Sequence, residues 1–403
     1  MEWKLALRNV FRNRRRTVFS LAVIVVGVTI LVFVLGFIGE ALRSTQRSLA
    51  CETGGVQIAD PRLFENASDG YDVLIPPDTL DRVVAILKET SGVIGATWRL
   101  DFAGLVGDER GSTLILGRGV TPCNCVEDYQ CLVTDGAPLA EDASREVILG
   151  RSLARSLGVS AGDKINIATG TVNGNFNAAT VDVVGELSYA LEDVEKQLGL
   201  FPIAFVQRLL KTDGVEKILV GIEDLSQADA IAAELRGTLS EAGIPLAVRT
   251  WEDLNPSYES LSSFYAAFSG VAGLAVFVLV FFSVLEVLTI SFLERTREIG
   301  TLRAFGTTRG RVFRTFFLEG AWLGLIGGIV GVAIGVGISL IFNAVGFAWT
   351  PPGAAIPQAI RLQVDASTAL VPLGTALLAT LVSSIAPSWK NARLRIVEAL
   401  RST

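Results

Sequence analysis

The 403-residue sequence predicts an α-helical membrane protein with four transmembrane helices and a large α+β extracytoplasmic domain between the first and second helices. Three observations predict this. The chain is 50% hydrophobic and only 19% charged, with a mean hydropathy of +0.48, too apolar for an ordinary soluble protein of this size. Four runs carry no charged residue, and each exceeds the roughly 20 residues an α-helix needs to cross about 30 Å of hydrocarbon. Charge is also unevenly spread. Residues 40–259 hold 18 Lys+Arg and 34 Asp+Glu, a net of −16, so the rest of the chain carries +10 to leave the overall −6.

Residues 1–16 are basic, with Lys4, Arg8, Arg12, Arg14, Arg15 and Arg16 against Glu2. The first span, 17–43, is built on Thr17–Gly39, 23 residues without a charge. It is longer than a usual signal-peptide core and no clean small-x-small site follows it, so it reads as an anchor. Ser48-Leu49-Ala50-Cys51 faintly resembles a lipoprotein box, but Arg43 and Arg47 separate it from the apolar run.

Residues 44–258 form the predicted α+β domain. Strand-like runs at 55–59, 93–105, 112–117, 180–185 and 217–222 alternate with helical patterns at Thr79–Lys88 and Ser226–Ala242. The region of about 120–212, and above all Glu146–Leu210, reads as a strand-rich insertion between two β-α parts. The chain has no histidine, which removes His-based acid-base chemistry and His metal ligands. The acids are scattered as solvated surface, so no catalytic residues and no metal site are expected. All four cysteines, Cys51, Cys123, Cys125 and Cys131, fall in this segment. Disulfides are favoured there over free thiols or a metal site, whose usual spacing is missing. A bond from Cys51 to one of the others would pin the exit of the first helix to the domain.

The second span, 259–293, contains the uncharged Ser260–Leu285, with Glu286 as an interfacial acid. Residues 294–319 follow, with six arginines against three acids. The uncharged run 320–360 is too long for one helix and is broken at Gly346 and Trp349–Gly353, which gives a third span at 320–343 and an outside loop at 344–365. The fourth span is 366–389. The tail, 390–403, carries Lys390, Arg393, Arg395 and Arg401 against Glu398. Basic residues at 1–16, 294–319 and 390–403 place all three in the cytoplasm by the positive-inside rule, which an even number of spans requires.

Two stretches invite a role. In 294–319, Glu294, Arg295, Arg297 and Glu298 interleave opposite charges at helical spacing. Beyond a break at Gly306, Val312, Phe313, Phe316 and Phe317 flank Arg309, Arg311 and Arg314, a pattern suited to a helix lying on the bilayer surface before the third span. A plain positive-inside loop is the simpler reading, but two glycine breaks and this length are more than a return loop needs. The third span carries Gly320, Gly324 and Gly328, and Gly327, Gly331 and Gly335, two registers of small-xxx-small spacing. Such close packing fits a dimer interface better than a pore, with packing inside one subunit as the alternative.

The run Glu294-Arg295-Thr296-Arg297-Glu298-Ile299-Gly300, followed by Leu302-Arg303-Ala304-Phe305-Gly306, closely resembles a signature stretch of the FtsX/MacB/LolC-type ABC transporter permeases, the type VII or mechanotransmission superfamily. The resemblance spans the chain. Trp3–Thr17 is similar to their amphipathic N-terminal helix, Glu146–Gly158 with Ala161–Ile165 to part of a MacB-like periplasmic domain, and Pro387–Arg401 to their C-terminal ending. Ile396 departs from the pattern, standing where many relatives have proline. The resemblance implies a permease subunit of the inner membrane that pairs with a second permease, identical or paralogous, and with two cytoplasmic ABC ATPase subunits. It implies that the 294–311 region is the ATPase-coupling site, with Glu294, Arg295, Arg297, Glu298, Leu302, Arg303, Phe305, Arg309 and Arg311 facing the ATPase. The chain contains no G-x-x-x-x-G-K-[ST] loop, so no cofactor is expected in it, and ATP and Mg are expected in the partner. Membrane lipids and a periplasmic adaptor or carrier complete the expected partners, and no nucleic acid is among them. The implied task is lipoprotein release, or export of a peptide or lipid-like cargo. An FtsX-like signalling subunit that activates an external cell-wall hydrolase is the alternative. A secondary transporter would need polar groups at mid-membrane, and a tethered enzyme would need a reactive cluster.

Overall fold

The computed structural model describes residues 3, 8, 14–65, 71–108, 111–121, 133–139, 145–189, 192–349 and 358–393. They fall into two units: a helical one of residues 1–43, 260–347 and 359–403, and an α/β one of residues 44–259 with 348–358.

The chain enters through α1, Arg14–Thr53, a 40-residue helix that ends where Gly54 turns into the left-handed region at φ +75°. The α/β unit then runs β1 (Val56–Ala59), α2 (Pro77–Glu89), β2 (Val93–Asp108), β3 (Gly111–Val120), β4 (Val133–Gly136), β5 (Glu146–Gly150), α3 (Arg151–Leu157), β6 (Lys164–Gly170), β7 (Phe176–Leu187), β8 (Leu198–Pro202), α4 (Ile203–Leu210), β9 (Lys217–Ile222), α5 (Ala228–Glu241) and β10 (Ala247–Thr250). Local chemistry explains the two helices expected from periodicity. Proline opens α2, Asp78 sits in its first turn and Lys88 in its last, where each complements the helix dipole. Before α5, Asp224 accepts the Ser226 N–H, and the helix buries Ile231, Ala232, Leu235 and Leu239 on one face.

The strands form one ten-stranded sheet in the order β10-β1-β9-β2-β3-β8-β5-β7-β4, with β6 pairing both β2 and β7. The region expected as a strand-rich insertion, about 120–212, holds β4 to β8, which share this sheet. Strand β6 pairs with β2 from Gly104↔Thr169 to Gly107↔Asn166, and β8 runs parallel to β3 from Leu116↔Leu198 to Val120↔Pro202. Ile167, Val183 and Phe201 of this region join Phe102, Ile115 and Ile218 in the main core, and Val120, Leu139, Ile148, Leu187, Leu198 and Leu200 form a second, smaller one.

The remaining helices are α6 (Pro256–Ala304, 49 residues), α7 (Arg309–Val345, 37 residues) and α8 (Ala366–Arg393, 28 residues). With α1, they are, among the described residues, the four helices long and apolar enough to cross a membrane. Their shared core is Ile24, Val28 and Val32 of α1, Val280, Val284 and Leu288 of α6, Leu323 of α7, and Ala376 and Ala379 of α8. Their outer faces expose Ile30, Phe268, Ile341 and Leu378, as a lipid-facing surface requires. The surface-lying helix expected after Gly306 is absent: Arg309–Val345 is one unbroken helix through Gly320. Gly300 and Gly310 likewise lie inside α6 and α7, so Gly306 is the single break in residues 294–319. A helical glycine breaks the chain only where its φ turns positive, and packing holds Gly300 and Gly320 in the helix, where both are buried.

Candidate functional site

Residues 294–319 are the end of a helical hairpin made by α6 and α7. Gly306, at φ +94°, closes α6. Its N–H donates to the Arg303 carbonyl and the Thr307 N–H donates to the Leu302 carbonyl, both at 3.1 Å. This is the Schellman pattern, which satisfies carbonyls a helix end would otherwise leave bare. Thr308 is extended (φ −74°, ψ 152°), and its carbonyl accepts the Arg311 and Val312 N–H groups at 3.1 and 3.3 Å to start α7. The reversal therefore takes four residues, 305–308.

Behind the turn the two helices are braced. Phe292 and Ile299 of α6 bury against Val312 and Phe316 of α7. Arg295 Nη1 donates to Glu319 Oε1 at 3.1 Å; the two side chains are only 16% and 4% exposed. The same guanidinium lies 3.7 Å from Glu298 Oε2 and 6.0 Å from the centre of the Phe316 ring. Burial of both charges makes this pair costly to break from one side.

The expected coupling residues therefore divide. Glu294, Arg297, Glu298, Leu302, Phe305, Arg309 and Arg311 are exposed, with Phe305 90% exposed at the turn itself. Arg303 is half-buried, and Arg295 points into the brace with Glu319, where it holds the hairpin together. The surface on offer is two apolar side chains, Leu302 and Phe305, within a ring of charge. Glu319 escaped the sequence reading, although a lone acid heading an apolar run was a signal, because such a group needs a partner.

The six glycines of the two small-xxx-small registers on α7 are spent inside the chain. A Cβ on Gly320 or Gly324 would meet Ser384 or Thr380 of α8 at 2.7 and 2.1 Å, and one on Gly328 would meet Leu373 at 2.6 Å. On Gly327, Gly331 and Gly335 it would meet Ile24, Val28 and Val32 of α1 at 2.7–2.8 Å. One register seats α8 and the other α1, so in this chain all six positions serve packing between its own helices. Facing the first register, Thr380 and Ser384 are fully buried on α8, small residues against small. Between α1 and α6 lies an apolar cleft of about 390 Å³, lined by Phe19, Val23, Val26, Ile30, Val276 and Leu279.

In the α/β unit, a cavity of about 550 Å³ is lined by Tyr71, Asp101, Phe102, Arg118, Thr169 and Glu216 among others. Burial acts to raise the Asp101 carboxyl, but Lys217, Arg99 and Arg118 together outweigh it and hold the group below the usual carboxylate range. Lys217 Nζ bridges Asp101 Oδ2 and Glu216 Oε1 at 3.0 and 3.1 Å. Cys51 is exposed near the end of α1, whereas Cys123, Cys125 and Cys131 lie outside the described residues, and with them the expected disulfides. Among the described residues, no group of three or more His, Cys, Asp or Glu side chains is placed to hold a metal.

Comparison with known proteins identifies the family. The MacB-like periplasmic core domain matches residues 17–238, and the FtsX-like permease C-terminal family matches residues 270–396. The lipoprotein-releasing system transmembrane protein LolC of Xylella fastidiosa (strain 9a5c) is 22% identical over 347 residues, covering 81% of this chain and 82% of that protein. The macrolide export ATP-binding/permease protein MacB of Chlorobium phaeobacteroides is 22% identical over 416 residues, 98% of this chain and 60% of that protein. The uncharacterized ABC transporter permease YknZ of Bacillus subtilis is 35% identical over 118 residues, 29% of this chain and 27% of that one. The crystal structure of the periplasmic region of MacB from Actinobacillus actinomycetemcomitans aligns at 14% identity with a TM-score of 0.36, covering 51% of this chain and 92% of that one. The chain belongs to the family of ABC transporter permeases that join a MacB-like periplasmic core domain to an FtsX-like permease C-terminal region.

Proposed function

We propose that the chain is the permease subunit of an ATP-driven transporter of the inner membrane, in which hydrolysis by separate cytoplasmic ABC ATPase subunits moves the extracytoplasmic domain. The observation that carries this reading is the α6–α7 hairpin. Its turn presents Phe305 and Leu302 outward while Arg295–Glu319 and the Phe292–Ile299–Val312–Phe316 cluster brace the helices behind them. An exposed aromatic on a stiff turn is a docking knob for a protein groove, and a braced hairpin transmits a push instead of absorbing it.

Two ATPase subunits would bind ATP and Mg, and a second permease, identical or paralogous, would complete the membrane part, with an adaptor or carrier outside. LolC is named for lipoprotein release and MacB for macrolide export. The apolar α1–α6 cleft supports a lipoprotein or another lipid-like cargo over a polar one.

Co-purification tests the docking. The native chain should bring down an ATPase, and Phe305→Asp together with Arg309→Glu should abolish that capture while leaving the permease folded. Undiminished capture by the double variant would remove the hairpin as the docking point.

A further inference from the structure

We propose that Glu52 fastens the end of α1 to the β-sheet, making it the positioning residue through which movement of that helix is delivered to the extracytoplasmic domain. The delivery role rests on the coupling function proposed above; the fastening does not.

Glu52 is the next-to-last residue of α1, and two branches of polar contacts leave it. In the first, Glu52 Oε1 lies 3.5 Å from Arg118 Nη2 on β3. Arg118 Nε in turn lies 3.7 Å from Asp101 Oδ1 on β2, and Lys217 on β9 holds Asp101 at 3.0 Å. Strands β3, β2 and β9 are consecutive neighbours, so this branch spreads a load on the helix end across the sheet. In the second, Tyr189 Oη donates to Glu52 Oε2 at 2.7 Å. The Tyr189 N–H donates to Glu195 Oε2 at 2.8 Å, while Glu195 Oε1 accepts the Ser152 N–H at 3.0 Å and its hydroxyl at 2.7 Å in the first turn of α3.

Glu195 is buried, and these bonds satisfy both its oxygens against the positive end of α3. The close approach also requires glycine at position 150, where a Cβ would stand 2.0 Å from the Glu195 carbonyl oxygen. Burial first, then the Glu52 charge, pushes the Tyr189 hydroxyl well above its ordinary range, so it remains a donor at physiological pH. Leu49, one turn back, packs on the domain core, but an apolar contact has no preferred direction. The charge-assisted links at Glu52 are directional, and they join α1 to both the sheet and α3.

The test uses the full-length chain in nanodiscs with its cysteines replaced and spin labels at Ser48 and Arg155, both exposed. The parent should give one narrow distance distribution. Loss of a hydrogen bond to a charged group should raise the detached fraction roughly tenfold in Tyr189→Phe and in Glu52→Gln, with no further rise in the double variant. Unchanged distributions in both single variants overturn the fastening. A second arm adds the co-purified ATPase and ATP and follows a fluorophore at Glu234 on α5. Tyr189→Phe should hydrolyse ATP at the parent rate while losing the nucleotide-driven signal. Loss of hydrolysis and signal together, or retention of both, overturns the delivery role. A parent that shows no nucleotide response refutes the coupling function and delivery with it, while the first arm still decides the fastening.

Discussion

Replacing Glu319 by leucine should destabilise the protein sharply, and replacing its partner as well should restore much of the loss. Glu319 is 4% exposed and Arg295 16%, at 3.1 Å, with the guanidinium also against Phe316. Removing one member of a buried pair strands the other charge away from water, at a cost of about 3 kcal/mol, roughly a 150-fold change in the folded ratio. Removing both lifts that penalty, because two apolar side chains of similar volume fill the site without any desolvation cost. Glu319→Leu and Arg295→Met should therefore each cost about 3 kcal/mol, and the double variant about 1 kcal/mol or less, a coupling of several kcal/mol in a double-mutant cycle. Equilibrium unfolding of the purified chain in mixed micelles reads these values. Single variants within about 0.5 kcal/mol of the parent, or a double variant equal to the sum of the singles, would refute the claim that the pair is buried and mutual.

Gly331→Ala and Gly335→Ala should each destabilise the α1–α7 contact by about 1–3 kcal/mol, since the new Cβ would sit 2.7–2.8 Å from the Cβ of Val28 or Val32, branched side chains that cannot swing aside; thermal unfolding should show it, and Gly337→Ala, which meets nothing within 4 Å, should not. Gly306→Ala should cost about 1–2 kcal/mol, because φ +94° is strained for any residue with a Cβ, and limited proteolysis at the turn should accelerate. Asp365 heads α8, where its bond from the Thr368 N–H above all, with help from Ser367, Gln363 and the Thr368 hydroxyl, lowers its carboxyl to about 2. Its folded value lies below the unfolded one, so it stabilises the protein above about pH 4 and loses that contribution as pH falls toward 2. Asp365→Ala should cost about 1 kcal/mol at neutral pH and flatten the acid limb of the stability profile.

The spans were legible because a charge-free run of sufficient length has few other uses, and strand β9 was read in full because Lys217–Ile222 alternates poorly but is strongly β-branched and apolar. Spacing also announced close packing at Gly320–Gly335. It could not name the partners, since two registers on one helix face two neighbours and nothing local says which. The same limit hid the brace, where Arg295 and Glu319 are 24 residues apart, and the α1 joint, where Glu52 and Tyr189 are 137 apart. The β6–β2 pairing lay beyond reach for that reason too, since hydrophobic alternation marks a strand but carries no register. The surface-helix expectation failed differently: the aromatic flank of α7 was real, but Val312 and Phe316 bury against α6 instead of lipid.

Strands β1 and β10 are the first and last of the sheet in sequence, yet they pair directly, Val56 opposite Thr250 and Ala59 opposite Ala247. Where the chain comes in and where it goes out are thus separated by a single inter-strand spacing of about 4.8 Å. A segment with such closely set ends behaves as a cassette: it can be lifted out between Arg43 and Ser260 without cutting a strand pairing of the ten-stranded sheet, closed with a short linker, or exchanged for another of like entry and exit. A different domain with like entry and exit could stand on the same four helices without any change to their packing.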